Sequence, residues 1–197
     1  SEINHLLEEG FRVLVLAGTK EKIYDQLNLG AYALGYVVLA NPIRENAKST
    51  FNYFAEQGVN IKVISGDNPQ TVSAVAKRAG ITGAERFIDA NLLKTKEDLD
   101  QAVESYTVFG RVTPDQKRRL VQALKRKDHT VAMTGDGVND ILAMKSADCS
   151  IAMASGSDAA TQVAQVVLLD SDFGHMTQVV TEGRRVVNNV QRSAILF

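Results

Sequence analysis

Cysteine occurs once in 197 residues, at Cys149. A single thiol excludes an internal disulfide and suits a reducing compartment, so the core must hold the fold. Histidine is also scarce. His5, His129 and His175 lie far apart and lack the spacing of a metal-ligand set. Charge of either sign is not in excess: 22 Lys and Arg against 23 Asp and Glu leave a net charge of −1. No long-range field draws such a chain to nucleic acid, and none is expected as a partner. Long apolar runs are missing too. The longest, residues 31–40 (AYALGYVVLA), falls well short of the roughly 20 residues that span a bilayer. The start, Ser1-Glu2-Ile3-Asn4, has none of the basic character of a secretory leader. These absences together lead us to expect a soluble piece.

What is present is ordinary globular composition, 45% hydrophobic and 23% charged. The length allows one well-buried domain with an appendage, or two small domains. Residues 11–17 (FRVLVLA) and 31–40 read as strands, with a polar loop or short helix at 20–28 between them. Asn41-Pro42 breaks the chain, and beyond it the pattern changes to strand–helix alternation. Helices are expected at 47–57, 68–79, 96–105, 113–127, 139–146 and 157–165. Strands are expected at 61–65, 87–88, 107–109, 130–133, 149–153 and 166–169. Gly58 and Gly80 close the first two helices, and Pro69 and Pro114 each open one at the first helical position. Thr113-Pro114-Asp115-Gln116 has the spacing of a capping box. Short strands joined by helices imply parallel crossovers, hence a doubly wound α/β domain with a mainly parallel sheet.

In such sheets, ligands sit beyond the carboxyl ends of the strands. Three groups fall there. Ser65-Gly66-Asp67-Asn68 offers a hydroxyl and backbone N–H groups beside a helix start, an anion site or simply a capped turn. Thr134-Gly135-Asp136-Gly137-Val138-Asn139-Asp140 brings two carboxylates into one bare loop, which suits Mg²⁺, an ion that takes one or two of them. A glycine-rich turn alone would leave the second carboxylate and Asn139 without a purpose. Lys117 shares the apolar stripe of its helix with Leu120, Val121 and Leu124. An inward lysine must meet carboxylates or a phosphoryl group, or snorkel to water. Donors, a cation and Mg²⁺-binding carboxylates together describe a phosphoryl-transfer site. No nucleophile accompanies them.

SGDN (65–68), TPDQK (113–117) and TGDGVND (134–140) resemble, in order, three signatures of P-type cation-transporting ATPases, members of the haloacid-dehalogenase-like phosphotransferases. The likeness continues through residues 146–173 and 182–197 and covers nearly everything from about residue 37 onward. It implies a haloacid-dehalogenase-like Rossmannoid domain at 45–172 and the end of a nucleotide-binding domain at 1–38. It also implies a hinge at 39–44 and, at 173–197, a stalk leading into a membrane helix. The missing nucleophile would be the aspartate of an Asp-Lys-Thr-Gly-Thr segment upstream. By the same resemblance Ser65 and the Gly66 N–H would bind phosphoryl oxygens, with Asp67 lining the site. Lys117 would neutralise charge, Asp136 would hold Mg²⁺, Asp140 would support metal and geometry, and Asn139 the phosphate. Arg12 would contact ATP and Arg44 carries over from the hinge, while Asn41 stands where an aspartate is usual. Ile141-Leu142-Ala143-Met144 replaces the common Ala-Pro-Ala-Leu, which suggests a divergent bacterial-type branch. The expected protein is an ATP-driven cation pump of the plasma membrane working through an aspartyl phosphate, with this chain on its cytoplasmic side. Its expected partners are ATP, the cation, the rest of the pump and, through the stalk, the membrane. A free-standing phosphatase of the superfamily and a non-catalytic α/β binding module are the alternatives. Lys117, read as an inward ammonium awaiting phosphate, is expected to be replaceable by Met without loss of stability.

Overall fold

The computed structural model describes residues 6, 11–20, 30–39 and 42–195. Most of the polar stretch at 20–28, together with Asn41, lies outside the described residues. Strands β1 (Arg12–Gly18) and β2 (Tyr32–Leu39) pair antiparallel, with Arg12 opposite Leu39. The remaining elements alternate: α1 (Ala47–Glu56), β3 (Val63–Ile64), α2 (Pro69–Arg78), β4 (Phe87–Asp89), α3 (Lys96–Ser105), β5 (Val108–Gly110), α4 (Pro114–Arg126), β6 (Ala132–Gly135), α5 (Ile141–Ser146), β7 (Cys149–Met153), α6 (Asp158–Val163), β8 (Val166–Leu168) and α7 (Met176–Ile195). Every pairing among β3 to β8 is parallel, as the alternation requires. They form two sheets rather than one continuous sheet, in the orders β3-β5-β4 and β6-β7-β8. Both β3 and β6 are therefore terminal strands.

Each sheet is covered on both faces, which is why its strands read as unbroken apolar runs. In the first, Val63, Phe87 and Val108 pack with Val72 and Ala76 of α2. Their neighbours Ile64, Ile88 and Phe109 point the other way, onto Leu99 and Val103 of α3 and Leu120 of α4. In the second, Ile151, Met153 and Leu168 meet Phe54 of α1 and Met176 of α7. Ala152 and Val167 turn to Met144 of α5 and Ala160 of α6. This period-two division delivers the doubly wound architecture. Helix α4 bridges the two halves: Leu120 belongs to the first core, and Val121 packs with Val131 and Ala143 of the second.

The helix starts follow local chemistry. The Asn68 side-chain oxygen accepts the Gln70 N–H at 2.9 Å, with Pro69 at the first turn of α2. Thr113 and Gln116 close a reciprocal capping box on α4. Thr95 and Asp98 do the same on α3. Asp98 thereby accepts the Thr95 and Lys94 N–H groups, which hold its carboxyl below the usual range. Gly58 and Gly80 take φ of +74° and +86° and end α1 and α2. The last element, α7, is 20 residues long, and its side chains from Thr181 onward are exposed. Among the described residues no helix is long and apolar enough to cross a membrane.

Gly110, where β5 ends, lies directly on Pro69. A Cβ there would stand 2.4 to 2.6 Å from the Pro69 N, Cα and Cβ. Gly110→Ala should lower stability by about 1–3 kcal/mol through overpacking, read from the urea midpoint. Gly35→Ala, which meets nothing within 4 Å, should leave that midpoint nearly unchanged. Equal effects would show that the Gly110 contact is not tight.

Candidate active site

The three polar loops of the sequence converge on the first turn of α4. The loop after β3 is tied to β5 and the segment after it by three backbone hydrogen bonds. Ser65 N–H donates to Phe109 O at 2.9 Å, Val112 N–H to Ser65 O at 2.9 Å, and Arg111 N–H to Asp67 O at 2.8 Å. Ser65 Oγ accepts the Asp67 N–H at 3.1 Å. Among the described residues no acceptor takes its hydroxyl proton, and the Gly66 N–H has no partner. Two donors on an exposed turn are thus left for an anion. Asp67 is exposed at the rim.

Lys117 lies one turn into α4, and the tight ending of β6 brings a carboxylate to meet it. Gly135 is buried against Asp140; a Cβ on it would lie 2.5 Å from the Asp140 Cβ. Without that side chain, the short 3₁₀ turn Val138–Asp140 folds back onto the strand end. Asp140 Oδ1 then accepts from Lys117 Nζ at 2.6 Å, and Oδ2 from the Gly137 N–H at 3.3 Å. Their side chains are only 15% and 9% exposed, so the pair is mostly dry. This reverses the expectation for Lys117. The ammonium is already matched, and removing it would strand a buried carboxylate.

Asp136 differs from Asp140 in every respect. Its backbone is clamped, with Ser157 N–H on its carbonyl at 2.7 Å and Gly156 so close that a Cβ would fall 2.4 Å from that oxygen. Its side chain is exposed and makes no hydrogen bond or ion pair with the described residues. Asn139 is likewise exposed. A fixed backbone presenting one free carboxylate, with an amide nearby, suits Mg²⁺, which fills its other positions with water and phosphate oxygens. Both oxygens of Asp140 are engaged, so its part in such a site would be support. Among the described residues no three His, Cys, Asp or Glu side chains cluster around a common point.

Arg44 is not brought into this group, and of Arg12 only the backbone position is described. Arg44 lies beyond the end of β8, donating to Ser171 O at 3.1 Å and standing 4.0 Å from Asp172. That is two strands from β6, or about 10 Å at ordinary strand spacing. The Gly174 N–H and then the Asn46 amide hold the Asp172 carboxyl below its usual range, with Arg44 adding to the effect. Arg12 opens β1, in a sheet that shares no strand with the site. Conversely, the sequence reading missed Arg111. It has a left-handed backbone, φ +53°, and ion-pairs with Asp89 at 2.6 Å. No local pattern announces an arginine in that conformation.

The chain resembles known proteins along its whole length. It is 47% identical over 199 aligned residues to a probable cation-transporting ATPase, exp7, of Streptococcus pneumoniae, covering 100% of this chain and 25% of that protein. It is 50% identical over 191 residues to the calcium-transporting ATPase CtpE of Mycobacterium bovis, covering 96% of this chain and 24% of that one. The chain thus spans about a quarter of the length of these curated relatives. Among solved structures, a zinc-transporting PIB-type ATPase in the E2.Pi state superposes with a TM-score of 0.69 at 24% identity, covering 97% of this chain and 26% of that one. The catalytic domain of the CPx-ATPase CopB-B superposes with a TM-score of 0.56 at 23% identity, covering 82% of this chain and 55% of that one. These two likenesses bear on the fold alone. A family model described as haloacid dehalogenase-like hydrolase matches residues 3–148. With the parallel α/β frame and the strand-end loops in place, that match makes the chain a member of the haloacid dehalogenase-like hydrolases.

Proposed function

We propose that this chain is the cytoplasmic catalytic part of an ATP-driven cation pump of the plasma membrane, working through an aspartyl-phosphate intermediate. The observation that supports it most is the convergence of Ser65–Asp67, Lys117 and Asp136–Asp140 on the start of α4, with the lysine held 2.6 Å from Asp140. Phosphoryl transfer asks a protein mainly for positioning and charge stabilisation, and these groups offer both. The Ser65 hydroxyl and the Gly66 N–H would donate to phosphoryl oxygens, with Asp67 beside them and Asn139 opposite. Lys117, oriented by Asp140, would face the charge that develops in transfer. Asp136 would hold Mg²⁺, with Asp140 behind it; the bound ion would neutralise the charge on the phosphate. A binding module without chemistry would have no need for this convergence.

The nucleophile would come from elsewhere in the pump. Strands β3 and β6 both end their sheets, and each carries a site loop at its carboxyl end. A parallel strand between them, ending in the aspartate, would join the two sheets and place its carboxylate between Ser65 and Asp136. Arg12 would belong to the end of the nucleotide-binding domain at 1–38, and Arg44 to a hinge at 39–44, so their service to ATP would require the rest of that domain. The stretch at 173–197, mostly α7, would serve as the stalk. Arg184, Arg185 and Arg192 lie along it, as basic residues do at the cytoplasmic end of a span. Of the relatives above, one is named a probable cation-transporting ATPase and the other a calcium-transporting ATPase. We extend only cation transport to this protein.

Three outcomes are expected. The chain alone should form no acyl phosphate with acetyl phosphate, by mass spectrometry, because covalent catalysis requires the absent nucleophile. An acyl phosphate on any of its residues would favour the free-standing phosphatase. Millimolar Mg²⁺ should shift the amide NMR signals of residues 134–140 and little else, and Asp136→Asn should abolish those shifts. Shifts that persist in the variant would remove Asp136 as a ligand. Lys117→Met should destabilise the chain by about 3 kcal/mol, since it leaves Asp140 buried without a counter-charge. Adding Asp140→Asn should restore much of that stability. In the full-length protein, however, turnover should stay about a hundredfold down in both variants. Recovery of turnover together with stability would make Lys117 purely structural.

A further inference from the structure

Beyond the groups that would touch a phosphoryl, the end of β4 braces both the donor loop and the lysine helix. Asp89 is the last residue of β4 and pairs in register with Gly110 of β5. Its two oxygens are divided. Oδ1 accepts the Asn91 N–H at 2.9 Å and starts the short turn after the strand. Oδ2 accepts from the Arg111 guanidinium at 2.6 Å. These contacts hold the Asp89 carboxyl below its usual range, the Asn91 N–H contributing most. In the same turn, Ala90 O accepts from the Gln116 side chain at 2.8 Å, immediately before Lys117.

Arg111 is the consequential partner. It follows Gly110 with φ +53°, a region that glycine enters freely and arginine rarely. In that conformation its N–H points at Asp67 O, 2.8 Å away, and the next N–H, of Val112, reaches Ser65 O. The unusual backbone thus sets the position of the loop holding the Ser65 hydroxyl and the Gly66 N–H. An exposed ion pair on two mobile side chains ordinarily contributes little. Here one partner is anchored by its own turn, and the other stands on a backbone that needs a reason to stay where it is.

We propose that Asp89 is a positioning residue for the phosphoryl-binding loop Ser65–Asp67, acting through Arg111. The proposal rests on the phosphoryl-transfer reading above. It requires that the carboxylate hold Arg111 left-handed, so that losing the charge lets residue 111 relax and the loop drift. A displacement of about 1 Å at positioning groups is enough to slow a reaction by up to about a hundredfold.

The test is a cycle of Asp89→Asn, Arg111→Gly and the pair together. Asparagine caps a turn as well as aspartate, so Asp89→Asn keeps the bond to Asn91 through its one oxygen and puts a neutral amide donor in place of the charged acceptor facing Arg111. In this chain, amide hydrogen exchange at residue 111 should speed up about tenfold in Asp89→Asn. In the Arg111→Gly background the same change should have no further effect, because glycine takes a positive φ without help from the carboxylate and has no side chain to meet it. In the full-length protein, Asp89→Asn should lower kcat about tenfold with KM for ATP unchanged. Unchanged exchange at residue 111 would overturn the proposal, as would an equal effect of Asp89→Asn in both backgrounds. Faster exchange with normal kcat, in a protein that Lys117→Met does disable, would overturn it too. If Lys117→Met left turnover intact, the phosphoryl-transfer reading itself would fall, whatever the exchange showed.

Discussion

The ion pair between Lys117 and Asp140 is the contact on which the rest of the site depends. It joins a helix that follows one parallel sheet to a turn that follows the other, across 2.6 Å and largely out of water. Two charges so placed are costly to bring together and costlier to separate, so the pair selects one arrangement of the two halves. Helix α4 makes this possible by packing Leu120 into the first core and Val121 into the second. The apolar stripe brings the helix to the junction, and the lysine at its head fixes how the strand-end loops face each other.

Around that pair the site divides its work between rigid backbone and free side chains. Asp140 spends both oxygens on structure, while Asp136, four residues earlier, has a clamped backbone and an uncommitted carboxylate. The same division recurs across the site. Ser65 and Asp67 are bonded through the backbone to residues 109–112, yet among the described residues the serine hydroxyl proton and the Gly66 N–H find no acceptor. Backbone contacts hold these groups in place, and preorganisation of this kind would make electrostatic stabilisation effective in the proposed site. The same tight packing accounts for the glycines at positions 110, 135 and 156, where a Cβ would collide with Pro69, Asp140 and Asp136 in turn.

Much of this was legible in the sequence, for physical reasons that can be named. The helices at Asn68-Pro69 and Thr113-Pro114 begin where the side-chain cap and the proline say they should. The alternation of short apolar runs with helices led directly to parallel pairing. Boundaries fared less well. The strand expected at 61–65 is only Val63–Ile64, and that expected at 130–133 runs Ala132–Gly135. Strand ends depend on which residues find a hydrogen-bonded neighbour, and β3 and β6 each pair on one side only. The single continuous sheet became two for the same reason.

What the sequence by itself determined was the order of elements, the three motifs and the side of the sheet on which they fall. Periodicity, caps and bare glycine loops are local properties, readable within a few residues. Tertiary structure alone decided that Lys117 meets Asp140 rather than an empty pocket, that Arg44 turns toward Ser171 and Asp172, and that Arg111 is left-handed under the hold of Asp89. Each of those outcomes depends on groups at least 22 residues apart. A charge buried or solvated, and a backbone strained or relaxed, is settled by what the fold packs beside it.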